Sequence, residues 1–277
     1  MDKQEFIKVM AEEAAQYGKI EFKEIQKVDE TYYGMYVSVD NGPTPVVNLD
    51  SLYDYYCDTE DMDSCLEHLS QVLTMKPRYS FDISKISDWE WAKDHLYFKL
   101  FGHVVNGICK PVADLYLVPY VDLPDICGAT VRVTPDLAET WEVSLDDIFQ
   151  AVETAQPNLH PAVIKSLSDI LGVMLPDDEE IPMYVVTCED HYYGASAILY
   201  PGVAEQVKEK IYGDDFYLVP ASVHEMLAVP KALCDDPQHL TGLVKMVNQQ
   251  DVPEDQRLSN SIYEYDFVED TLKKVEV

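Results

Sequence analysis

Ser222-Val223-His224-Glu225 places a hydroxyl, an imidazole and a carboxylate within one short stretch, directly after the apolar run that ends at Val219. A serine beside a base and an orienting carboxylate is the composition of a nucleophilic hydrolase site, and segments that follow strands often expose functional groups. The same letters also spell a capping box, in which Ser222 accepts from the backbone N–H of Glu225 and the glutamate answers in return. A triad is a matter of spatial geometry, which closeness in sequence does not supply. The cap is therefore the preferred reading, and Ser222, His224 and Glu225 stand as the catalytic candidates.

Metal chemistry finds less support. Glu189-Asp190-His191 could supply ligands, but it falls where a hairpin turn is expected and reads as a solvated loop. His224-Glu225 does not open an H-E-x-x-H zinc helix, because residue 228 is Ala. His160-Pro161 looks like the start of a helix, while His68, His95 and His103 fall on predicted helices and His239 near the start of one. The six cysteines, at 57, 65, 109, 127, 188 and 234, form no C-x-x-C pair and stand near no His at zinc spacing, so they read as free thiols in a reducing compartment. Phosphate-loop, dinucleotide-binding and G-x-S-x-G motifs are absent as well. The expectation is a chain with no metal and no cofactor.

The tetrad belongs to the most ordered stretch of the chain, Met183 to Val229. Met183 to Cys188 and Gly194 to Tyr200 read as two strands of a hairpin. Pro201 suits the first position of a helix, Val203, Val207 and Ile211 line one face of it, and Gly213 stops it. Asp215 to Val219 reads as another buried strand, followed by a polar turn and an apolar run from Met226 to Val229. Elsewhere, helical periodicity predicts helices over 3–17, 60–76, 88–105 with Ser87 as cap, 144–155 with Ser144 and Asp147 as a capping box, 163–171 and around 240–247. Strands are expected at 20–28, 33–40, 45–49, 113–121 and 128–134, with a closing strand or hairpin near 262–267. The fold class is α+β, with mixed or antiparallel sheets and packed helices.

Two regions are expected, 1–108 and 109–277, with one continuous domain as the alternative; 175–182, with two prolines and four consecutive acids, reads as a linker. Within the second region, 128–139 lines up without gaps on 194–205, matching at five positions, which allows a duplicated strand-strand-helix unit.

Charge bounds the partners. Against 51 Asp and Glu stand 20 Lys and Arg, a net charge of −31. Phosphate backbones are bound by clustered Lys and Arg, so direct nucleic-acid binding and attachment to anionic membranes are disfavoured. The N-terminus is acidic and amphipathic rather than signal-like, and no window approaches a membrane span, which predicts a cytoplasmic protein.

Pro45-Val-Val-Asn-Leu-Asp50 followed by tyrosines, Tyr193-Gly-Ala through Leu199-Tyr-Pro-Gly202, Phe216 through Glu225, and Leu258-Ser-Asn-Ser-Ile-Tyr263 together resemble the bacterial family catalogued as domain of unknown function 5688. The resemblance runs from about residue 20 to 265 and implies a cytoplasmic bacterial protein; it brings no activity and no catalytic residue. The leading functional expectation is a non-enzymatic acidic protein that binds another macromolecule, a basic protein by charge. Imitation of nucleic acid, hydrolysis through Ser222 and His224, and sensing of a small ligand are the alternatives.

Overall fold

The computed structural model describes residues 1–26, 31–38, 44–74, 82–124, 129–171, 182–234 and 236–276. It divides into Met1–Ile83 and Ser84–Val277.

The first unit begins with α1 (Lys3–Ala14), whose Asp2 and Glu5 form a reciprocal capping box. Phe6, Met10 and Ala14 recur every four residues on its buried face. Three antiparallel strands follow, β1 (Ile20–Gln26), β2 (Thr31–Val37) and β3 (Val47–Asn48), in the order β1-β2-β3. Asn48 then caps α2 (Leu49–Thr59), accepting from the N–H groups of Asp50 and Ser51, and α3 (Met62–Thr74) completes the unit. Met35, Val47, Leu49, Leu52, Cys65 and Leu69 close the core against α1.

The second unit holds two antiparallel sheets. After α4 (Trp89–Ala92) come β4 (Leu96–Phe101), β5 (Lys110–Val112), β6 (Leu115–Asp122) and β7 (Thr130–Arg132). β6 pairs with all of β4 through Tyr116 to Val121, and on its other edge first with β5 and then with β7. Pro119, which has no N–H to donate, falls where β5 has ended and β7 has not begun, and its carbonyl accepts from Val133. α5 (Pro135–Trp141) and α6 (Leu145–Leu159) follow, the latter opened by the expected Ser144–Asp147 box. The second sheet collects β8 (Ala162–Ser166), β9 (Tyr184–Cys188), β10 (Phe216–Ser222), β11 (Glu225–Pro230), β12 (Tyr263–Asp266) and β13 (Thr271–Lys274) in the order β13-β12-β10-β11-β9-β8. α7 (Leu167–Leu171), α8 (Val203–Lys210) and α9 (Pro237–Gln250) complete the chain. The α+β class with antiparallel sheets is as expected. Among the described residues no helix is long and apolar enough to cross a membrane.

Several expected elements change type. The helix expected over 88–105 is only α4 and a 3-10 turn, capped by Asp88 rather than Ser87, before β4 takes over. Ala92, Leu96 and Leu100 are all fully buried, but a spacing of four satisfies a period of two as well as one of 3.6, so periodicity did not decide between helix and strand. The expected helix 163–171 fails for the same reason: Ala162–Ser166 pairs with β9, and only Leu167–Leu171 is helical. Gly194–Leu199 is a buried 3-10 helix, not a strand. A Cβ at Gly194 would lie 2.5 Å from both the Cys188 nitrogen and Thr187 Oγ1, so the backbone itself packs onto β9 there. This also separates the two aligned segments, since 130–132 is strand where 196–198 is 3-10 helix. The division falls at Ile83/Ser84 rather than 108/109, a point that lies inside the β4–β6 pairing. Cys127 and residues 175–181 of the expected linker 175–182 lie outside the described residues.

Candidate functional site

Ser222 to Glu225 is neither helix cap nor triad. β10 and β11 pair as far as Ser222 opposite Glu225, leaving Val223 and His224 as the two residues of a tight hairpin turn. Ser222 Oγ accepts the N–H of His224 at 3.0 Å, two residues on, instead of the N–H of Glu225. The His224 ring is engaged elsewhere: its Nδ1 accepts the N–H of Tyr193 at 3.1 Å. Glu225 turns to a different surface, a depression it lines with Lys165, Asp169, Thr187 and His191. The structure thus ties Ser222 to the backbone of His224, joins His224 to the turn after β9, and leaves Glu225 apart from both. Among the described residues no group of three or more His, Cys, Asp or Glu is arranged to hold a metal ion.

A denser set of reactive groups lies on β4 and its neighbours. Side chains alternate along a strand, so Tyr97 and Lys99 share one face of β4, opposite the face that sends Phe98 against Phe149 of α6. Lys99 is 5% exposed. Its Nζ lies 4.3 Å from the ring centroids of Tyr120 and Tyr193, 5.2 Å from that of Tyr192 and 5.7 Å from that of Tyr97. It donates to Thr130 Oγ1 at 3.2 Å. Tyrosine faces are negative and attract the ammonium, but they replace water poorly. Burial therefore pushes Lys99 down to about 8, opposed only by the charge of Asp122. Asp122, two residues beyond Tyr120 on β6, is itself pushed up by burial despite the nearby rings of His160 and His95.

His160 borders the same face, its ring 4.6 Å from that of Tyr97. Its Nδ1 lies 2.9 Å from Asp190 Oδ2. Burial pushes Asp190 up, but the Cys188 thiol, the Tyr192 N–H and His160 outweigh it and hold the carboxyl below its ordinary value. A carboxylate accepts, so Nδ1 carries the proton, and in the neutral ring Nε2 is left as a lone pair. That Nε2 is buried and has no hydrogen-bond partner among the described residues. Cys188, which donates to Asp190 Oδ1 at 2.8 Å, is pushed up to about 12 by burial and by that carboxylate, so it is an inert thiol.

The cage is closed by the turn between β9 and the 3-10 helix. His191 and Tyr193 both have positive φ, at 56° and 54°, an uncommon conformation for residues with side chains, and one often found where a site imposes it. Tyr192, 46% exposed, forms the solvent side of the cage. Of the residues singled out in the sequence, His224 and Asp190 join this constellation as supports of the turn; Lys99, Asp122 and His160 were not recognised. One signal was available: a lysine in the middle of the apolar string Leu96-Tyr-Phe-Lys-Leu-Phe101 has nowhere to go but the interior.

No curated protein and no solved structure matches the chain. The description of one family, a family of unknown function designated DUF5688, matches residues 3–267, and the chain belongs to that family.

Proposed function

We propose that the protein acts by binding a basic macromolecular partner through its acidic surface. The observation that carries this is stoichiometric: even if every Lys and Arg were paired, 31 carboxylates would have no base. The surplus is locally dense. No Lys or Arg occurs between residues 133 and 164, where Asp136, Glu139, Glu142, Asp146, Asp147 and Glu153 are all exposed along α5 and α6. Such a ridge steers a basic partner and repels an acidic one. The tied hydroxyl of Ser222 and the occupied Nδ1 of His224 favour this reading over hydrolysis at that hairpin.

The test is capture of proteins from a bacterial lysate by the wild type and by a variant with Asp136, Glu139, Glu142 and Asp146 changed to their amides. Asp147 is kept because it caps α6. A basic protein should be retained at low salt, released at high salt where exposed charges are screened within about 3 Å at 1 M, and lost with the variant. Retention of nothing, or retention indifferent to both salt and variant, overturns the reading. Competition by DNA or RNA for the same partner distinguishes imitation of nucleic acid from ordinary charge pairing.

A further inference from the structure

The acidic surface does not use the Lys99 face, and that face has the parts of a small-molecule site: an amine in an apolar surround, a lone pair with no donor, and a strained turn over both. We propose that Lys99 is the reactive amine of a covered site that condenses with the carbonyl group of a small hydroxyaldehyde or hydroxyketone, with His160 Nε2 accepting the ligand's hydroxyl.

The geometry carries this in three steps. Among the described residues Lys99 Nζ spends one donor on Thr130, faces tyrosine rings and feels the charge of Asp122 without a direct ion pair, so it can lose a proton and present its lone pair without breaking one. A lysine in this setting has a far larger neutral fraction near neutral pH than a surface lysine, in keeping with the direction in which burial moves it. The neutral amine adds to the carbonyl carbon to give a carbinolamine; loss of water then leaves an imine, with the amine's two protons and the carbonyl oxygen departing together as H2O. No oxidant or reductant is required. Departure of hydroxide from the carbinolamine needs a proton, which solvent delivers while the turn is open.

His160 supplies the selectivity. Asp190 fixes its Nδ1–H, as a carboxylate orients an imidazole base; the opposite nitrogen is buried, and the imidazole ring stands 4.6 Å from that of Tyr97, which also borders Lys99. A buried acceptor with no donor costs free energy that a ligand hydroxyl would recover. The flanking carboxyls Asp122 and Asp190 make a neutral ligand fit better than an anionic one. Entry requires the Tyr192-Tyr193 turn to swing out, and its two left-handed residues are the strained points at which it can give.

The experiment treats the intact wild-type protein near neutral pH with glycolaldehyde and cyanoborohydride, which reduces an imine to a stable N-hydroxyethyl amine. Peptide mass spectrometry then compares Lys99 with Lys8, whose side chain is 77% exposed. Lys99 should be modified at least ~10-fold faster, since a lysine held near its buried value exposes far more free amine than one at its ordinary value. Modification of Lys99 at or below the rate of Lys8 overturns the proposal. The Lys99-to-Lys8 ratio should also be higher with glycolaldehyde than with acetaldehyde, and His160→Phe should abolish that difference. Equal ratios for the two aldehydes in the wild type would overturn the role given to His160.

Discussion

β4 buries two polar groups one residue apart, and they are treated in opposite ways. At its open edge, away from β6, the N–H and C=O of Phe98 meet the side chain of Gln156, which accepts from the one at 3.2 Å and donates to the other at 3.3 Å. The same NH2 lies 3.1 Å from Ser196 Oγ and 2.8 Å from the Tyr200 hydroxyl, so its two N–H groups serve three acceptors, and Ser196 Oγ also donates to the Phe98 C=O at 3.3 Å. Gln156 thus does for β4 what a neighbouring strand would do, and it is the reason a half-paired strand can be buried. On the face next to it, among the described residues, Lys99 has one hydrogen bond and four rings, and His160 Nε2 has no hydrogen-bond partner. Polar burial that builds a fold is fully satisfied; polar burial that is left short marks a place where something else is expected to bind.

The largest effect should come from breaking the satisfied half. Gln156→Leu keeps similar volume but strands the Phe98 N–H, leaves the Phe98 C=O with Ser196 Oγ as its remaining donor, and removes a partner from the Tyr200 hydroxyl. With about 1–3 kcal/mol for each buried group left unmade, the variant should lose about 3–4 kcal/mol in urea unfolding. Gln156→Glu, which keeps the acceptor and loses the amide donor, should also be destabilised. A loss below about 1 kcal/mol for Gln156→Leu would mean that water takes over these groups, and the contrast between the two sites would fall.

The legibility of the two sites in the sequence differs for a related reason. Caps and helix stops are local chemistry, and they were readable: Ser144 with Asp147, Gly18 after α1, and Gly213, at φ 86°, whose N–H returns to Lys208 after α8. The tail hairpin and the turn between β10 and β11 were readable as well. At Leu96 and Leu100, and at Val163 and Leu167, apolar residues four apart did not separate helix from strand, because that spacing serves both. The site failed for a deeper reason. Lys99, Asp122, His160 and Asp190 come from β4, β6, the end of α6 and the turn after β9, so no window of sequence contains them together. The tetrad at 222–225 is legible because it is contiguous, and its contiguity is the property of a hairpin turn.

Lys99→Met tests the unsatisfied half and should act with the opposite sign. Holding the ammonium this far below its ordinary value costs about 3 kcal/mol. The cation–π contacts return about 1–2 kcal/mol of that. A thioether of similar length packs well among rings, so the variant should gain about 1–2 kcal/mol at pH 7. The pH dependence follows from the direction of the shift. The folded chain releases this proton near its lowered value of about 8, while the unfolded chain holds it to about 10.5. Between those limits the unfolded state binds more protons, so this residue's penalty is complete below the lower limit and fades as pH rises. The advantage of Lys99→Met over wild type should therefore shrink from pH 7 to pH 10, with Cys188 and the tyrosines cancelling because both proteins carry them. An advantage that is absent at pH 7, or constant with pH, would show that Lys99 is accommodated as well as Gln156.

The smallest expected effect is at Ser222, and it separates support of the turn from catalysis. The chain of contacts runs from Ser222 Oγ to the His224 N–H, and from His224 Nδ1 to the Tyr193 N–H, so the hairpin steadies the turn that closes the Lys99 cage. Ser222 is only half-buried, and a lost turn acceptor can be replaced by water, so Ser222→Ala should cost about 0.5–1 kcal/mol. Ser222→Asp should keep most of that stability, because a carboxylate accepts the same N–H. Amide exchange at Tyr193 should quicken in Ser222→Ala, while the amides of β4 and β6 stay protected, since only the cover is loosened. A nucleophilic Ser222 predicts something different: no stability cost for Ala, loss of any hydrolysis in both variants, and labelling of the wild type at Ser222 by a serine-reactive phosphonate. Against that stands the position of the base, whose Nδ1 already accepts from Tyr193. Phosphonate labelling at Ser222, together with a neutral Ser222→Ala, would move the active centre from the β4 face to the hairpin.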